Sequence, residues 1–417
     1  INATFAQTPT IGLLQNDSVS YNGYTLFAPS SSNITHLIDN CGREVHSWES
    51  DFPPGLSVYL QENGDLLHTA RLGNPIFANG GTGGRVELLD WDGNLLWGFD
   101  YSDTVVHQHH DVEMLPNGNI LILAWKIIPL ADVVAAGKNP AELGSEFWSE
   151  HIVEVQPVGT DSGVIVWEWH LWDHLVQDFD NTKPNYGIVA DHPELVDLNY
   201  FSGAPGGIDW IHANSIDYNE ALDQILISSR NFSEMWIIDH STTTVEAAGS
   251  SGGNWGKGGD LLYRWGNPQT YNRGVASDQA FFGQHNAHWI ADGLNDAGKI
   301  MVFNNGQDRP AGQYSSIDII EPPVDGNGSY IIPTAGPIGP ASPSWSFVED
   351  PPEDFFSSRV SGAQRLPNGN TLICSGRRGH FFEIDENEEI VWEYISPISL
   401  GVPLNQGELP STNGVFR

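Results

Sequence analysis

The feature that most constrains the fold is a pair of marks that alternate six times along the chain. The first mark is a turn, Asn-Gly or a near equivalent, that precedes an apolar strand. Asn-Gly suits a tight hairpin because both residues tolerate a positive φ. The second mark is a strand that ends in tryptophan. The turns begin at Asn22, Asn63, Asn117, Asn219, Asp292 and Asn368, and the tryptophans are Trp48, Trp97, Trp167, Trp265, Trp345 and Trp392.

Between each turn and the next tryptophan lies a further apolar run, such as residues 85–90 or 381–385. Each unit is therefore a strand, a turn, a second strand, a third strand and a Trp-ended fourth strand. Six such units in series predict an all-β fold, a six-bladed β-propeller of four-stranded blades. The composition agrees, with 45 glycines and 26 prolines, and no long stretch has the apolar periodicity of a helix.

The repeat is irregular, and its surplus length is predicted to form long insertions at one face. We expect a single propeller domain over residues 8–417, with residues 1–7 as the remnant of a signal peptide. Insertions over one face of a rigid scaffold commonly build a substrate site, with mere decoration as the alternative. The insertions are residues 126–149, 171–207, 246–262 and 321–344, with short helices expected at 131–143 and 171–178 and a ring-closing strand at 408–417.

The balance of charge excludes one class of partner. The chain has 53 acidic and 17 basic residues, for a formal net charge of -36. Nucleic-acid binding needs a basic footprint, so we expect no such partner. The charge fits a soluble secreted protein. The sequence contains no apolar run of 18 residues, so we expect no transmembrane segment. The two cysteines, Cys41 and Cys374, are too few for a disulfide scaffold or a Cys-based metal site, and we expect free thiols ahead of a disulfide.

Three of the six units carry a histidine seven positions before their turn: His110, His212 and His285. Equivalent positions of the innermost strands point toward the same axis, so these side chains should surround the mouth of the channel. The same position in the other units holds, in chain order, Gln15, Leu56 and Ser361.

Cations are expected at the same mouth. In an antiparallel pair the end of the second strand lies beside the start of the first, and the second strands end near Arg71, Lys126, Arg230, Arg377 and Arg378. A chain with few basic residues that gathers them at one pocket is suited to hold an anion with several oxygens. Guanidinium groups bind such anions through paired hydrogen bonds.

A metal site is the main alternative for the histidines. His107 and His109, which flank His110, could bind a transition metal with His192 or His288. The register supplies one histidine per blade and no carboxylate at the matching positions, which favours a site with no metal. The acidic loops leave a structural calcium ion open. We expect no diffusible cofactor.

A ring of histidines and arginine can perform group transfer on an oxyanion. Neutral imidazole is a good nucleophile toward a sulfuryl or phosphoryl centre, and its ordinary pKa near 6.5 leaves it largely uncharged at neutral pH. A second histidine can protonate a departing phenolate and later deprotonate an incoming hydroxyl. The arginine and an amide can stabilise the non-bridging oxygens in the transition state.

Four segments resemble the bacterial arylsulfate sulfotransferases: Asp209-Trp-Ile-His-Ala-Asn-Ser-Ile-Asp-Tyr, Ile-Ser-Ser-Arg230, Gln284-His285 and Phe303-Asn-Asn-Gly306. The resemblance implies a propeller that moves a sulfuryl group from an aryl sulfate to a phenol without a nucleotide donor. It also implies a bacterial protein that is secreted, periplasmic or on the cell surface. It implies that His285 forms a sulfohistidine.

The same resemblance implies roles for the remaining site residues. His110 and His212 would flank the nucleophile, while Asn214 and Arg230 would hold sulfate oxygens. Further substrate-binding candidates, taken from the predicted mouth, are Arg71, Lys126, Ser361 and Arg377.

Two other functions stay open. The first is a non-catalytic secreted propeller that binds sulfated glycans or serves in a surface assembly. The second is a hydrolase that passes the sulfuryl group to water. A formylglycine sulfatase is disfavoured, because neither Cys41-Gly-Arg nor Cys374-Ser-Gly-Arg has the Cys-x-Pro-x-Arg context that formylglycine needs.

Overall fold

Short antiparallel strands joined by tight turns form six sheets, which are the blades of an all-β six-bladed propeller. The computed structural model describes residues 9–200 and 208–410. Within each blade, the strands pair with their neighbours in sequence, as hairpin connections require. The fold class predicted from the alternating turns and tryptophans is confirmed.

The first half of the chain builds blades 1 to 3. Strand β1 (Gly12–Asn16) precedes blade 1, which comprises β2 (Tyr24–Phe27), β3 (Ile34–Asp39) and β4 (Glu44–Glu49). Blade 2 comprises β5 (Pro54–Leu60), β6 (Leu66–Arg71), β7 (Gly84–Leu89) and β8 (Leu95–Asp100). Blade 3 comprises β9 (Val106–Met114), β10 (Ile120–Ile127), β11 (Trp148–Val158) and β12 (Ser162–His170).

The second half builds blades 4 to 6. A small parallel pair, β13 (Leu175–Val176) and β14 (Val196–Asp197), precedes blade 4, which comprises β15 (Ala213–Asn219), β16 (Gln224–Ser229), β17 (Glu234–Asp239) and β18 (Tyr263–Trp265). Blade 5 comprises β19 (His285–Trp289), β20 (Ile300–Asn304), β21 (Ser316–Ile320) and β22 (Trp345–Phe347). Blade 6 comprises β23 (Gly362–Arg365), β24 (Thr371–Ser375), β25 (His380–Ile384) and β26 (Ile390–Ile395), and is followed by the pair β27 (Ile398–Ser399) and β28 (Val402–Pro403).

The predicted helical segments are shorter than expected. In the first insertion, helix α1 (Leu130–Ala135) is followed by a 3-10 turn at Pro140–Glu142. In the second, a 3-10 turn at Leu171–Asp173 leads into β13. Helix α2 (Thr244–Ala247), in the third insertion, begins with a capping box. No helix among the described residues is long and apolar enough to cross a membrane.

The recurring tryptophans join each blade to the next one around the ring. Each indole N–H donates a hydrogen bond to an oxygen of the following blade or of its insertion, and the last one returns to blade 1. This use fits a side chain with a large apolar body and a single donor. The donor and acceptor residues are Trp48 and Asp90, Trp97 and Ser162, Trp167 and Thr242, Trp265 and Pro340, Trp345 and Glu388, and Trp392 and Asn40.

Strand β1 closes the ring, which corrects one prediction. β1 pairs antiparallel with β26 as the fifth, outermost strand of blade 6, rather than forming the innermost strand of blade 1. The expectation that Gln15 lies in the channel register is therefore wrong. Its side-chain amide donates to the carbonyl of Ile390 at 2.5 Å. Without β1, the outer edge of β26 would be unpaired, and β1 supplies hydrogen-bond partners for its backbone groups.

The predicted closing strand at residues 408–417 is not seen in its described part. Residues 408–410 belong to no strand, and residues 411–417 lie outside the described residues, as do residues 1–7. Within the described residues, blade 1 has three strands. A largely apolar cavity of about 500 Å³ lies between β2 of blade 1, β5 of blade 2, β19 of blade 5 and β23 of blade 6, where an inner strand of blade 1 would run. Cys41 is exposed and Cys374 buried, and both are free thiols, as predicted.

Candidate active site

Bulges in the inner strands position the site. On β9, residues 109–111 all lie opposite Leu123 of β10, because Gln108 pairs with Ala124 and Val112 with Ile122. Similar irregularities follow Ala213 on β15 and His285 on β19. A bulge bends a strand and redirects its side chains. Residues in the left-handed region mark these bends: His110 and His212 at φ 51°, and Asn286 at φ 54°.

The three histidines of the sequence register come together at the inner strands of blades 3, 4 and 5. The rings of His110 and His212 meet edge to face, with their centroids 4.7 Å apart. His285 lies within electrostatic reach of both rings, and Arg230 lies within electrostatic reach of His110 and His285. Arg230 reaches the same rim because its backbone N–H donates to the carbonyl of His212 across the hairpin at 3.2 Å. The hairpin geometry predicted from the sequence places these residues as expected.

The hydrogen bonds of His285 fix its tautomer. Asn305 donates its side-chain N–H groups to the carbonyls of Ser357 and Val360, at 2.6 and 3.0 Å, so its Oδ1 faces His285 as an acceptor. Nδ1 of His285 lies 2.7 Å from that Oδ1 and 3.1 Å from the carbonyl of Gly283, and must therefore carry the proton. On the other side of the ring, the backbone N–H of Val360 donates to Nε2 at 3.2 Å. Nε2 thus carries the lone pair of the ring, which accepts this hydrogen bond in the resting site and must leave it to attack a substrate.

His285 is held neutral by its surroundings. Burial, followed by the positive charge of Arg230, lowers the pKa of His285 to about 3. Burial and the neighbouring His212 lower the pKa of His110 well below its ordinary value. Arg230 is itself half-buried, which lowers its pKa, while Asp209 and Asp308 act in the opposite direction. His285 and His110 are therefore neutral beside the guanidinium of Arg230.

His212 forms a dyad with a carboxylate. Its Nδ1 lies 2.5 Å from Oδ2 of Asp209, so the ring donates Nδ1–H to the carboxylate and turns Nε2 away from it. The other carboxylate oxygen of Asp209 is buried and has no hydrogen-bond partner among the described residues. Asp209 stands three residues before His212, where the bulge folds the chain back. This short Asp-x-x-His spacing was a signal in the sequence that the register argument did not use.

His110 fits against a glycine. Its backbone N–H donates to the carbonyl of Gly81 at 2.7 Å. Gly81 has a φ of 88°, and a Cβ built there would overlap the imidazole of His110. Nδ1 of His110 lies 2.9 Å from Nδ1 of His109. The ring is thus clamped between Gly81 and His109 and faces His212.

A polar cleft of about 840 Å³ opens beside this cluster. Asp209, His212 and Arg230 line one part of it, together with Gly283, which lies two residues before His285, whereas the side chains of His110 and His285 are buried beside it and do not line it. Arg230 donates to Oε1 of Gln307 at 2.7 Å across the cleft. The cleft is large enough to admit a small aromatic ester, since drug-sized ligands occupy roughly 300–1,000 Å³.

Asn214 lies beneath the cluster rather than in the cleft. It is fully buried, and its side-chain N–H donates to the carbonyl of Gln284 at 2.7 Å. Within the described part of the chain, its buried Oδ1 has no hydrogen-bond partner. The contact with Gln284 ties β15 to the residue before His285. Asn214 therefore acts on the position of His285.

Two predicted cations have other neighbours. Arg71 donates to the carbonyls of Ser30 and Pro54, both at 3.2 Å, and joins blades 1 and 2. Lys126 is half-buried and lies within electrostatic reach of His151. Neither residue lines the cleft. The end of a second strand does reach the rim, but the side chain there can turn toward an adjacent blade.

Ser361 and Arg377 also lie away from the cleft. Ser361 is fully buried, donates to the hydroxyl of Ser357 at 2.9 Å and accepts the backbone N–H of Gly376 at 3.0 Å. Arg377 is exposed, and its guanidinium donates to the hydroxyl of Ser358 at 3.3 Å. Both side chains support the connections of blade 6.

The histidines considered for a metal have other contacts. His107 lies 2.7 Å from the hydroxyl of Thr82 and 2.8 Å from that of Ser102, and His192 lies 3.1 Å from Glu194. Throughout residues 9–200 and 208–410, no three His, Cys, Asp or Glu side chains are arranged to hold a metal ion.

Comparisons with known proteins identify a family. The family model described as Arylsulfotransferase (ASST) matches residues 61–397, well over half of the chain. No curated protein matches the chain.

Among solved structures, the similarities are more distant. A protein of unknown function from Bacteroides caccae is 12% identical, with 90% of this chain and 94% of that one covered and a TM-score of 0.49. The Swd1 β-propeller domain from Myceliophteria thermophila is 10% identical, with 97% and 90% covered and a TM-score of 0.44. A streptogramin B lyase is 12% identical, with 94% and 85% covered and a TM-score of 0.40.

Proposed function

The chain belongs to the arylsulfotransferase family, and from that premise we propose that it moves a sulfuryl group from an aryl sulfate to a phenol through a sulfohistidine at His285. The observation that carries the proposal is the fixed tautomer of His285. Asn305 holds the proton on Nδ1, so Nε2 keeps its lone pair. Burial beside Arg230 keeps the ring neutral at neutral pH, with its single proton on Nδ1.

In the first step, Nε2 of His285 attacks the sulfur and the bond between sulfur and the aryl oxygen breaks. Arg230 donates to the non-bridging oxygens and offsets their charge, and the pair of His212 and Asp209 lines the same cleft. The backbone N–H of Val360, which points at Nε2, is placed to donate to an oxygen of the sulfuryl group once the nitrogen is sulfated. His110 gives a proton to the departing phenolate.

In the second step, an acceptor phenol takes the place of the first product. His110 removes its proton, the phenolic oxygen attacks the sulfur, and the bond between sulfur and Nε2 breaks. The mechanism is a ping-pong transfer with one covalent intermediate. It uses no nucleotide sulfate donor, because the aryl sulfate itself supplies the sulfuryl group.

A product assay tests this function. Purified protein is incubated with p-nitrophenyl sulfate and phenol, without any nucleotide, and the products are identified by mass spectrometry. We expect p-nitrophenol and phenyl sulfate in equal amounts. Release of p-nitrophenol with inorganic sulfate in place of phenyl sulfate would indicate a hydrolase. No release with or without phenol would indicate a binding module.

Substitution of Gly81 by alanine tests the placement of His110. The new Cβ would overlap the His110 ring and push it away. A displacement of about 1 Å at a reacting group lowers a rate by about 10²-fold, and we expect a loss of that order in the transfer assay. Gly93→Ala is the matched control, because Gly93 has a similar φ of 83° with nothing within 4 Å. Equal activities of the two variants would contradict the assignment.

A further inference from the structure

A buried chain of three titratable side chains runs away from the reacting centre. Oε2 of Glu150 lies 2.8 Å from Nε2 of His109, and Nδ1 of His109 lies 2.9 Å from Nδ1 of His110. His109 and Glu150 are almost completely buried. The path ends at the ring to which the proposed function gives the proton transfer. Neither His109 nor Glu150 lines the cleft.

The fold holds this chain of groups in place. The bulge on β9 directs the consecutive residues His109 and His110 into one network. The ring of His109 stacks on Trp125, with centroids 3.9 Å apart. The second oxygen of Glu150 accepts the backbone N–H of Ala213 at 2.9 Å, which ties the carboxylate to blade 4. Both neighbours limit rotation of the two side chains.

Each hydrogen bond in the chain admits either direction of donation. Either Glu150 is protonated and donates to His109, which donates to His110, or Glu150 is ionised and both bonds run the opposite way. Burial raises the pKa of Glu150 well above its ordinary value and lowers that of His109 well below. Both shifts favour the arrangement in which all three groups are neutral.

The charges that face these groups come from several strands. Asp209 faces Glu150, and it also raises the pKa of that carboxyl. The other groups within electrostatic reach are His107, His151 and His212 around His109, and His212, His285 and Arg230 around His110. The positive charge of Arg230 at the far end favours release of a proton from His110 toward the site.

We propose that Glu150 and His109 form a proton relay that supplies a proton to His110 as the first phenol leaves and takes it back as the second one reacts. The proposal rests on the proposed function. Glu150 and His109 touch no substrate, so they act through His110 and complete the acid-base machinery. The relay holds a proton on a buried carboxyl group before the donor reacts, gives it up as the phenolate leaves, and recovers it from the acceptor phenol.

The relay balances in both half-reactions. At rest, Glu150 is protonated, His109 carries its proton on Nδ1, and His110 carries its proton on Nε2. As the phenolate leaves, the Nε2 proton passes to the aryl oxygen, the Nδ1 proton of His109 moves to His110, and the Glu150 proton moves to His109. Glu150 is then the only one of the three groups with a charge. Transfer to the acceptor phenol reverses every step.

The relay predicts a dependence on the leaving group. Phenolate is a strong base and needs a proton as it departs, whereas p-nitrophenolate is a weak base and departs as the anion. Glu150→Gln keeps the shape of the side chain and removes the acidic proton that the relay passes on. We expect first-turnover release of phenol from phenyl sulfate to fall by about 10²-fold or more. Release of p-nitrophenol from p-nitrophenyl sulfate should stay within about threefold of the unsubstituted protein, since this weak base takes up the relay's proton only after the bond to sulfur has broken.

A matched control comes from a second buried pair outside the site. Nδ1 of His174 lies 2.8 Å from Oδ1 of Asp260, and both side chains are buried. Asp260→Asn therefore removes a buried carboxylate from a histidine without touching the relay. The ratio of the rates with the two donors should equal that of the unsubstituted protein. Thermal unfolding of both variants reports any loss of stability.

An isotope measurement on the unsubstituted protein tests the relay even if Glu150→Gln does not fold. The rate of first-turnover phenol release is measured across mixtures of H2O and D2O. We expect the rate to depend on the deuterium fraction along a curve, because several protons move together. A straight line, which one moving proton gives, would overturn the relay.

An equal loss of rate with both donors in Glu150→Gln would also overturn the relay while leaving the proposed function intact. Absence of release and adduct from either donor in the unsubstituted protein would refute the proposed function, and the relay with it.

Discussion

Replacement of His285 by asparagine should lower sulfuryl transfer by about 10⁴-fold or more, because removal of a covalent nucleophile leaves only binding and charge stabilisation. Asparagine can keep one polar contact with Asn305, so little stability should be lost. The measurement is the rate of phenyl sulfate formation from p-nitrophenyl sulfate and phenol, together with the thermal unfolding midpoint. The effect should fall on turnover, since the cleft that binds the donor is unchanged.

The control for this variant lies on the same strand. His288 is half-buried on β19, three residues beyond His285, and lines the apolar cavity rather than the polar cleft. His288→Gln should keep transfer within about threefold, as expected for a residue outside the reacting centre. Survival of transfer in His285→Asn within tenfold would remove His285 as the nucleophile.

Replacement of Arg230 by alanine should have the second largest effect. Deletion of one preorganised donor to a developing oxyanion costs about 10²- to 10³-fold in turnover. Arg230 is half-buried, anchored by Gln307, and lines the cleft beside His212. Arg230→Lys should recover part of the rate, because it restores a charge without the two-pronged geometry of guanidinium. Steady-state transfer rates over a range of donor concentrations measure both variants.

Arg377→Ala is the control for Arg230→Ala, because the sequence and the structure give different predictions for Arg377. The sequence predicted both arginines as contacts at the mouth, but Arg377 is exposed and contacts Ser358 in blade 6. Its removal should leave the rate within about twofold, as for most exposed substitutions. Equal losses in Arg230→Ala and Arg377→Ala would contradict the proposed site.

The sequence predicts the architecture well because local rules act in the same direction. Asn-Gly turns define the hairpins, and the position of the tryptophans reflects their hydrogen bonds to the following blade. The register of His110, His212 and His285 is equally local, since each is counted from its own turn. A hairpin brings Arg230 beside His212 for the same reason.

The rest of the site depends on features that cannot be found by counting residues back from each turn. Ser361 has a φ of 87° just before β23 and enters a buried network, and Lys126 does not line the cleft. The partners of the histidines come from remote parts of the chain: Glu150 is 41 residues from His109, and Asn305 is 20 from His285. Secretion and a structural calcium ion stay predictions.

Intact mass measurement tests the central claim most directly. The protein is mixed with p-nitrophenyl sulfate without an acceptor, weighed intact and then digested to locate any added group. The account predicts a gain of about 80 Da, the mass of one sulfuryl group, on His285, and its discharge by added phenol. An adduct on another residue, or steady transfer without any adduct, would contradict it.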